Sequence, residues 1–211
     1  MIKIFLFGIA LVFLFGCGSS SIKDYSGNSW LISTKAQLTD KTKNSSNNAN
    51  IDVFVDSNKA IRLEVTALLG YQVGSLLMNT TDIRYAVHPQ KVFVQGPFQA
   101  RTLKPLFKQE VDPKILWSVV HEESLSKRGF QCTRKSTTTE VCSNAQGTVE
   151  IEQRGELGTN GLSTDGQKKI TIENDKMKMI WVFKSKEPYI DSQNETFVLN
   201  SPKDYRLVTI K

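Results

Sequence analysis

The chain has 211 residues, of which 39% are hydrophobic, and a formal net charge of +6 at pH 7. That length fits one domain with a sizeable core and requires no second domain. Lys and Arg are scattered among acids instead of clustered with interleaved aromatics, so the charge argues against a nucleic-acid-binding protein and suits solubility and attraction to anionic head groups.

The N-terminus resembles the signal sequence of a bacterial lipoprotein. Lys3 precedes an apolar run, residues 4–15, that is too short to span a bilayer. Leu14 and Gly16 then stand before Cys17 as in a lipobox, whose cysteine is acylated. We therefore expect cleavage before Cys17 and anchorage to a membrane through acyl chains on that residue.

The signal divides the chain into three parts. Residues 1–16 are the expected signal peptide, residues 17–28 the lipidated cysteine with a flexible tether, and residues 29–211 a single β domain. In such lipoproteins an Asp after the acylated cysteine favours the inner membrane, and here that residue is Gly18. The expected location is the outer membrane, on its periplasmic face.

Alternation of apolar and polar residues predicts strands along most of the domain. The strand patterns lie at 30–38, 51–55, 61–66, 73–78, 83–87, 91–95, 130–132, 141–142, 149–152, 170–173, 177–184, 196–199 and 205–210. A polar loop is expected at 41–48 and a long mobile loop at 154–167. The pattern indicates an antiparallel meander with enough strands to curl into an open or closed barrel.

The segment 98–123 departs from this alternation. Apolar residues recur at spacings of three and four from Leu103 to Phe107 and again from Ile115 to Val120. Asp112-Pro113 is typical of a helix start. Two short helices are therefore expected to interrupt the sheet.

Two cysteines, Cys132 and Cys142, remain beyond the lipidation site. In an oxidising compartment a pair of thiols most simply forms one disulfide, here stapling a hairpin. The alternative is a pair of free buried thiols. A metal site is not expected, because the two histidines, His88 and His121, lie far from the cysteines in sequence.

Motifs for catalysis are not found in the sequence, and no enzyme or cofactor is expected. His88 precedes Pro89 in a predicted turn, and His121 adjoins Glu122-Glu123 at a predicted helix end. Both histidines are interpreted as surface residues. The adjacent acids are interpreted as a solvated helix terminus, not an acid/base pair.

The stretch 61–122 resembles LolB, the outer-membrane lipoprotein receptor and insertase of the lipoprotein-localisation system. That family shows a strand, a Pro-Leu-Gly turn, further strands and two short helices. The counterparts are Ile61–Thr66, the turn Ala67-Leu68-Leu69-Gly70, Val73–Leu76 and Leu103–Trp117. The resemblance implies a mainly β, open antiparallel half-barrel with short helices as a lid, of the LolA/LolB-like type.

In that fold the concave face encloses an apolar cavity that holds acyl chains, each buried CH2 contributing roughly 0.8 kcal/mol. Most apolar residues on that face are expected to be ordinary core. The candidate lining residues are Leu63, Val65, Leu76, Ile83, Tyr85, Val92, Val94, Leu116, Val120 and Trp181.

Leu68 and Leu69 stand in a predicted turn, where polar residues are usual. In the LolB family the Leu of the turn protrudes and meets the membrane during insertion, and Leu69 is its positional match. The alternative is that both leucines continue the strand into the core.

The function implied by the resemblance is lipid handling without nucleotide energy. A monomer at the outer membrane would receive lipoproteins from a LolA-like periplasmic carrier, shelter their acyl chains and release them among the outer membrane lipids. The alternative is a non-catalytic structural or envelope-binding lipoprotein whose β core is filled. The size of the cavity separates these two functions.

Overall fold

In the computed structural model of this protein, the described residues form one open sheet of twelve strands that two short helices cover. The structure describes residues 29–57, 59–153, 167–190 and 195–211. The expected signal peptide, Cys17 and the tether therefore lie outside the described residues, as does the predicted loop from 154 to 166.

The strands are β1 (Ser29–Asp40), β2 (Ser45–Asp56), β3 (Ala60–Ala67), β4 (Gln72–Asn79), β5 (Asp82–Val87), β6 (Val92–Pro97), β7 (Gln131–Arg134), β8 (Thr139–Asn144), β9 (Gly147–Gln153), β10 (Lys168–Glu173), β11 (Met177–Pro188) and β12 (Arg206–Thr209). The helices are α1 (Ala100–Phe107) and α2 (Pro113–His121), with 3-10 turns at His88–Gln90 and Leu125–Arg128. The two helices predicted from the apolar spacing are thus confirmed.

The sheet order is β12-β6-β5-β4-β3-β2-β1-β11-β10-β9-β8-β7. Every pairing among the described strands is antiparallel except that of β12, which runs parallel to β6. The expectation of a purely antiparallel sheet is therefore wrong at this edge. Only a crossing connection, and not a hairpin, can bring β12 parallel to β6.

The alternation in β3 shows how the sheet separates its two faces. Ile61 and Leu63 are buried opposite Met78 and Leu76 of β4, while Arg62 and Glu64 point to the other face. Burial of each such apolar side chain contributes roughly 1.5–3 kcal/mol. The main core therefore lies on one face, beneath the helices.

The helices close over this core. Asp112 caps α2 by accepting a hydrogen bond from the Lys114 N–H at 2.9 Å, and Pro113 occupies the first turn, where its missing N–H costs nothing. Helix α2 buries Leu116 and Trp117, while α1 buries Leu103. None of the helices in the described part of the chain is long and apolar enough to cross a membrane.

Two predicted elements differ from the structure. The polar loop predicted at 41–48 is only a turn, because residues 45–48 pair with the end of β1 and begin β2. The strand predicted at 196–199 is irregular backbone instead. Its Leu199 packs with Leu77, Ala86 and Phe93 in a second, smaller core on the other face of the sheet.

Candidate functional site

A cavity of about 400 Å³ lies between the sheet and the helices. Its wall is almost entirely apolar, and its volume lies within the range of small-molecule binding pockets. The lining residues are Ala36, Leu38, Asn47, Asn48, Ala49, Ile51, Leu63, Val65, Ala67, Val73, Leu76, Leu106, Phe107, Leu116, Met179 and Trp181. The core of the domain is therefore hollow at this position.

Five of the ten predicted lining residues are brought together here: Leu63, Val65, Leu76, Leu116 and Trp181. They come from the consecutive strands β3 and β4 and from α2 and β11, which are far from those strands in sequence. Trp181 is fully buried, and its indole Nε1 donates to the Thr34 hydroxyl at 2.7 Å. The single polar group of the indole is thereby satisfied inside an apolar wall.

The other five predicted residues lie elsewhere in the core. Ile83, Tyr85, Val94 and Val120 are buried among packed side chains, and Val92 is partly buried against them. Tyr85 donates its hydroxyl to the Thr102 carbonyl at 3.2 Å, and burial raises its pKa to about 12. The four residues on β5 and β6 do not line the cavity, because α1 packs directly onto this part of the sheet.

The contributions of β1, β2 and α1 to the wall are not predicted from the sequence. Ala36 and Leu38 alternate inward on β1, and Ala49 does so on β2. Ala49 lies two residues before the predicted strand 51–55, so extending the apolar alternation of that strand by one step identifies it as a residue of the inner face. Leu106 and Phe107 were recognised as helical residues, but only the docking of α1 places them at the cavity.

The β3–β4 turn stands at the mouth of the cavity. Ala67 and Val73, on either side of the turn, both line the wall. Between them Leu68 is 65% exposed, Leu69 83% and Tyr71 68%. The leucines therefore point into solvent, and the alternative that they continue into the core is wrong.

The cavity adjoins an entrance that becomes more polar with distance from the cavity. A second space of about 370 Å³ shares Leu38, Asn47, Leu106 and Phe107 with the cavity wall. A third, of about 400 Å³, shares Lys108, Gln109 and Lys176 with the second. We call the second and third spaces together the entrance. Leu106 and Phe107, at the end of α1, thus separate an apolar interior from a polar approach.

A buried lysine lies beyond the C-terminal end of α2. The Lys168 side chain is 9% exposed and donates to the Val119 carbonyl at 2.6 Å, with its ammonium 3.9 Å from a Glu122 carboxylate oxygen. It also lies 4.7 Å from the centre of the Phe183 ring. Burial lowers the pKa of Lys168 to about 8, and Glu122 opposes this shift. Lys168 stabilises the helix end by satisfying one of its carbonyls.

Neither histidine is the simple surface residue expected from the sequence. Both ring nitrogens of His88 are engaged, Nε2 with the Ser75 hydroxyl at 3.1 Å and Nδ1 with the Tyr205 hydroxyl at 2.8 Å. Ser75 also donates to Glu64 at 2.6 Å. Ser75 is 3% exposed, so this Ser–His pair joins the C-terminal segment to the sheet and presents no accessible nucleophile.

His121 packs at the end of α2 against the Trp117 ring, with 4.3 Å between ring centroids. Burial lowers the pKa of His121, although Glu123 opposes the shift. Glu123 in turn accepts hydrogen bonds from the Trp117 indole and from Arg128. The two adjacent acids therefore face different partners, Glu122 towards lysines and Glu123 towards Arg128.

The predicted disulfide is present. Cys132 on β7 and Cys142 on β8 are directly opposite each other and bonded, with sulfurs 2.07 Å apart. Glu140 lies nearby, but both sulfur atoms are bonded to each other and cannot serve as thiolate ligands for a metal ion. The bridge staples the last hairpin at the edge of the sheet.

No protein-family model matches the chain, and no curated protein matches it in sequence. Among solved structures it is similar to a DUF1329 family protein from Desulfovibrio piger, with a TM-score of 0.50 and 4% identity over 82% of this chain and 90% of that chain. It is also similar to a LolA superfamily protein from Nitrosomonas europaea, with a TM-score of 0.42 and 8% identity over 81% and 90% of the two chains.

A putative outer membrane lipoprotein-sorting protein domain from Vibrio parahaemolyticus is similar too, with a TM-score of 0.43 and 7% identity over 82% of this chain and 91% of that domain. At such identities the likeness concerns the fold alone. The predicted mainly β fold, an open sheet with two short helices, is confirmed among the described residues.

Proposed function

We propose that this protein is an outer-membrane lipoprotein that holds acyl chains in its apolar cavity and receives and inserts other lipoproteins. In this proposal residues 1–16 are removed and Cys17 carries the anchoring acyl chains. Residues 17–28 tether the β domain to the periplasmic face of the membrane. A LolA-like periplasmic carrier delivers the cargo.

The observation that carries the proposal is the position of an exposed apolar turn at the mouth of an apolar cavity. Leu68 and Leu69 lie in solvent within a few residues of Ala67 and Val73, which line the wall. Transfer of exposed apolar side chains from water to the acyl boundary of a bilayer is favourable. The turn can thus touch the membrane while the cavity beside it empties.

The volume of the cavity supports an acyl-binding protein and argues against the alternative of a filled β core. Its volume of about 400 Å³ is well above that of engineered apolar cavities of about 150 Å³ that stay dry and accept benzene. An acyl chain in such a space leaves water and gains contacts along its whole length. Nucleotide energy is not needed, because the chain moves from one apolar environment to another.

A cavity-filling substitution tests the proposal. Protein that begins at Gly18, without residues 1–17, is used, because neither the apolar run of the signal peptide nor acyl chains on Cys17 can then compete for the cavity. A synthetic triacylated Cys-Ser lipopeptide is the ligand, with binding followed by calorimetric titration. Ala49→Trp places an indole in the cavity, whereas Asn50→Trp adds the same residue to the opposite face of β2.

We expect Ala49→Trp to weaken binding by at least about tenfold and Asn50→Trp to leave it unchanged. Circular dichroism and thermal melting verify folding, and Val65→Phe is the smaller substitution if Ala49→Trp does not fold. Equal binding by both Trp variants would place the ligand outside the cavity. A parent chain that binds no acylated ligand would favour a structural or envelope-binding lipoprotein.

A further inference from the structure

The entrance is rich in lysine on the side where it meets the apolar cavity. Lys43 from the β1–β2 turn, Lys108 from the end of α1 and Lys176 from the β10–β11 turn all line it. These three turns come from distant parts of the sequence. They converge because the ends of β1 and α1 and the start of β11 lie at the same end of the sheet.

These three lysines differ from neighbouring lysines in having no ion-pair partner among the described residues. Within the described residues, Lys43, Lys108 and Lys176 form no ion pair, whereas Lys104 at the outer part of the entrance pairs with Glu110 at 3.3 Å and Lys41 pairs with Glu173 at 2.7 Å.

The entrance also contains two further carboxylates. Asp40 accepts hydrogen bonds from the Thr42 hydroxyl at 2.6 Å and from the N–H groups of Thr42 and Lys43, so it is committed to the turn. Asp175 lies further out, in the part lined by Lys108 and Lys176, and forms no ion pair among the described residues. The inner part of the entrance therefore holds three lysines and one carboxylate, Asp40, which lies near Lys43, so that its lining carries a net positive charge.

The Lys108 backbone shows how α1 ends at the entrance. Lys108 has a φ of +60°, the left-handed conformation in which helices commonly end. It follows Phe107 at the C-terminus of α1 and so turns the chain from the apolar wall to the polar entrance. Phe107 thus lines the apolar cavity, and the next residue, Lys108, places a cation at the entrance.

We propose that the protein binds an anionic phospholipid, with an acyl chain in the apolar cavity and the phosphate group at Lys43, Lys108 and Lys176. This inference rests on the proposed acyl-binding function and names a second ligand class for the same site. A zwitterionic headgroup adds an ammonium that these lysines repel, and a neutral headgroup gains nothing from them. The entrance therefore selects by charge, while the cavity selects by apolar volume.

The test compares two single-chain phospholipids that differ only in the headgroup. Lysophosphatidylglycerol is anionic, and lysophosphatidylcholine with the same acyl chain is zwitterionic. Both are titrated, below their micelle concentrations, into the protein that begins at Gly18, and binding is followed by calorimetry. The entrance variant combines Lys43→Gln, Lys108→Gln and Lys176→Gln.

A matched variant, combining Lys127→Gln, Lys203→Gln and Lys211→Gln, removes the same charge from exposed lysines that do not line the cavity or the entrance. We expect the parent chain to bind lysophosphatidylglycerol about tenfold more tightly than lysophosphatidylcholine. The entrance variant should lose this preference while keeping its affinity for lysophosphatidylcholine. The matched variant should keep the preference, and added salt should reduce it.

Equal binding of the two lipids by the parent chain would overturn the inference and leave the proposed acyl-binding function intact. A matched variant that loses the preference as fully as the entrance variant would also overturn it, because net charge and not the entrance would then decide. Binding of neither lipid, together with failure to bind the triacylated lipopeptide, would overturn the proposed function itself.

Discussion

Trp181 on β11 and Thr34 on β1 are joined by a buried hydrogen bond of 2.7 Å, from the indole Nε1 to the threonine hydroxyl. Thr34 in turn donates to the Ile51 carbonyl on β2 at 2.8 Å. Both side chains are at most 3% exposed. The chain of two hydrogen bonds links three strands beneath the cavity and holds the indole in its wall.

Replacing Thr34 by the isosteric valine should therefore destabilise the protein. Thr34→Val leaves the Trp181 N–H buried without an acceptor, at a cost of about 1–3 kcal/mol in the free energy of unfolding. Urea unfolding at neutral pH measures the loss. Combined with Trp181→Phe, the same Thr34→Val change should cost much less, because no indole N–H remains to be satisfied. An equal loss in both backgrounds would show that the hydrogen bond does not contribute.

The exposed turn should matter for membrane transfer and not for folding. Leu69→Glu places a charge at a side chain that is 83% exposed, so the free energy of unfolding should change by less than about 0.5 kcal/mol. A carboxylate at the turn tip opposes entry into the acyl region of a bilayer. We expect transfer of a fluorescent triacylated lipopeptide to phosphatidylethanolamine–phosphatidylglycerol vesicles to fall at least about tenfold.

Leu207→Glu is the matched control for this prediction. Leu207 is a 54% exposed leucine on β12, at the edge of the sheet and away from the cavity mouth. Its substitution should leave the transfer rate unchanged. If both variants transfer the lipopeptide normally, the β3–β4 turn does not meet the membrane. If the melting temperature falls in Leu69→Glu alone, Leu69 instead has a role in packing.

Lys168 should make the free energy of unfolding depend on pH in the alkaline range. Its folded pKa of about 8 lies below its ordinary value of 10.5, so between those values the unfolded chain binds more protons than the folded one. Stability therefore rises with pH across this window. The cost of holding the charged form is fully present below about pH 8 and amounts to on the order of 3 kcal/mol.

Lys168→Met should remove that rise. The neighbouring Lys169→Met is the matched control, because Lys169 is 43% exposed and forms an ordinary surface ion pair with Glu152. Urea unfolding at about pH 7 and about pH 10 gives the difference for each variant. An unchanged difference in Lys168→Met would mean that other groups produce the alkaline dependence.

The disulfide should contribute strongly to stability, because it closes a loop at the edge of the sheet. Cys132→Ala should lower the free energy of unfolding by about 2–3 kcal/mol. Reducing agent should destabilise the parent chain by a similar amount and leave Cys132→Ala unaffected. If the melting temperature of the oxidised parent protein does not fall on reduction, the bridge contributes nothing to stability.

The strands and helices were largely predictable because their periods are local. Alternation at 61–65 and 83–87 marked β3 and β5, and the apolar spacing before and after Asp112 marked α1 and α2. The segment at 196–199 was misjudged for the same reason. Its local pattern resembles a strand, but its carbonyls at Thr196 and Val198 accept hydrogen bonds from Arg62, a residue far away in sequence.

The candidate site was only half predictable. Leu63 and Leu76 were identified as cavity-lining residues from strand alternation, but alternation does not show which inward side chains border empty space and which are packed. Tyr85 and Val94 have the same pattern and are ordinary core because α1 covers them. The distinction depends on where a helix docks, and this is set by many long-range contacts.

The sequence by itself determined the mainly β architecture, the two helices and the cysteine pair, and it predicts a lipoprotein-type signal, because each depends on residue type and short spacing. Only the tertiary structure decided that the core is hollow, that Leu68 and Leu69 lie at the mouth of the hollow, and that Lys43, Lys108 and Lys176 meet beside it. These features arise where turns from distant segments converge at one end of the sheet. Their convergence follows from strand order, which local patterns do not encode.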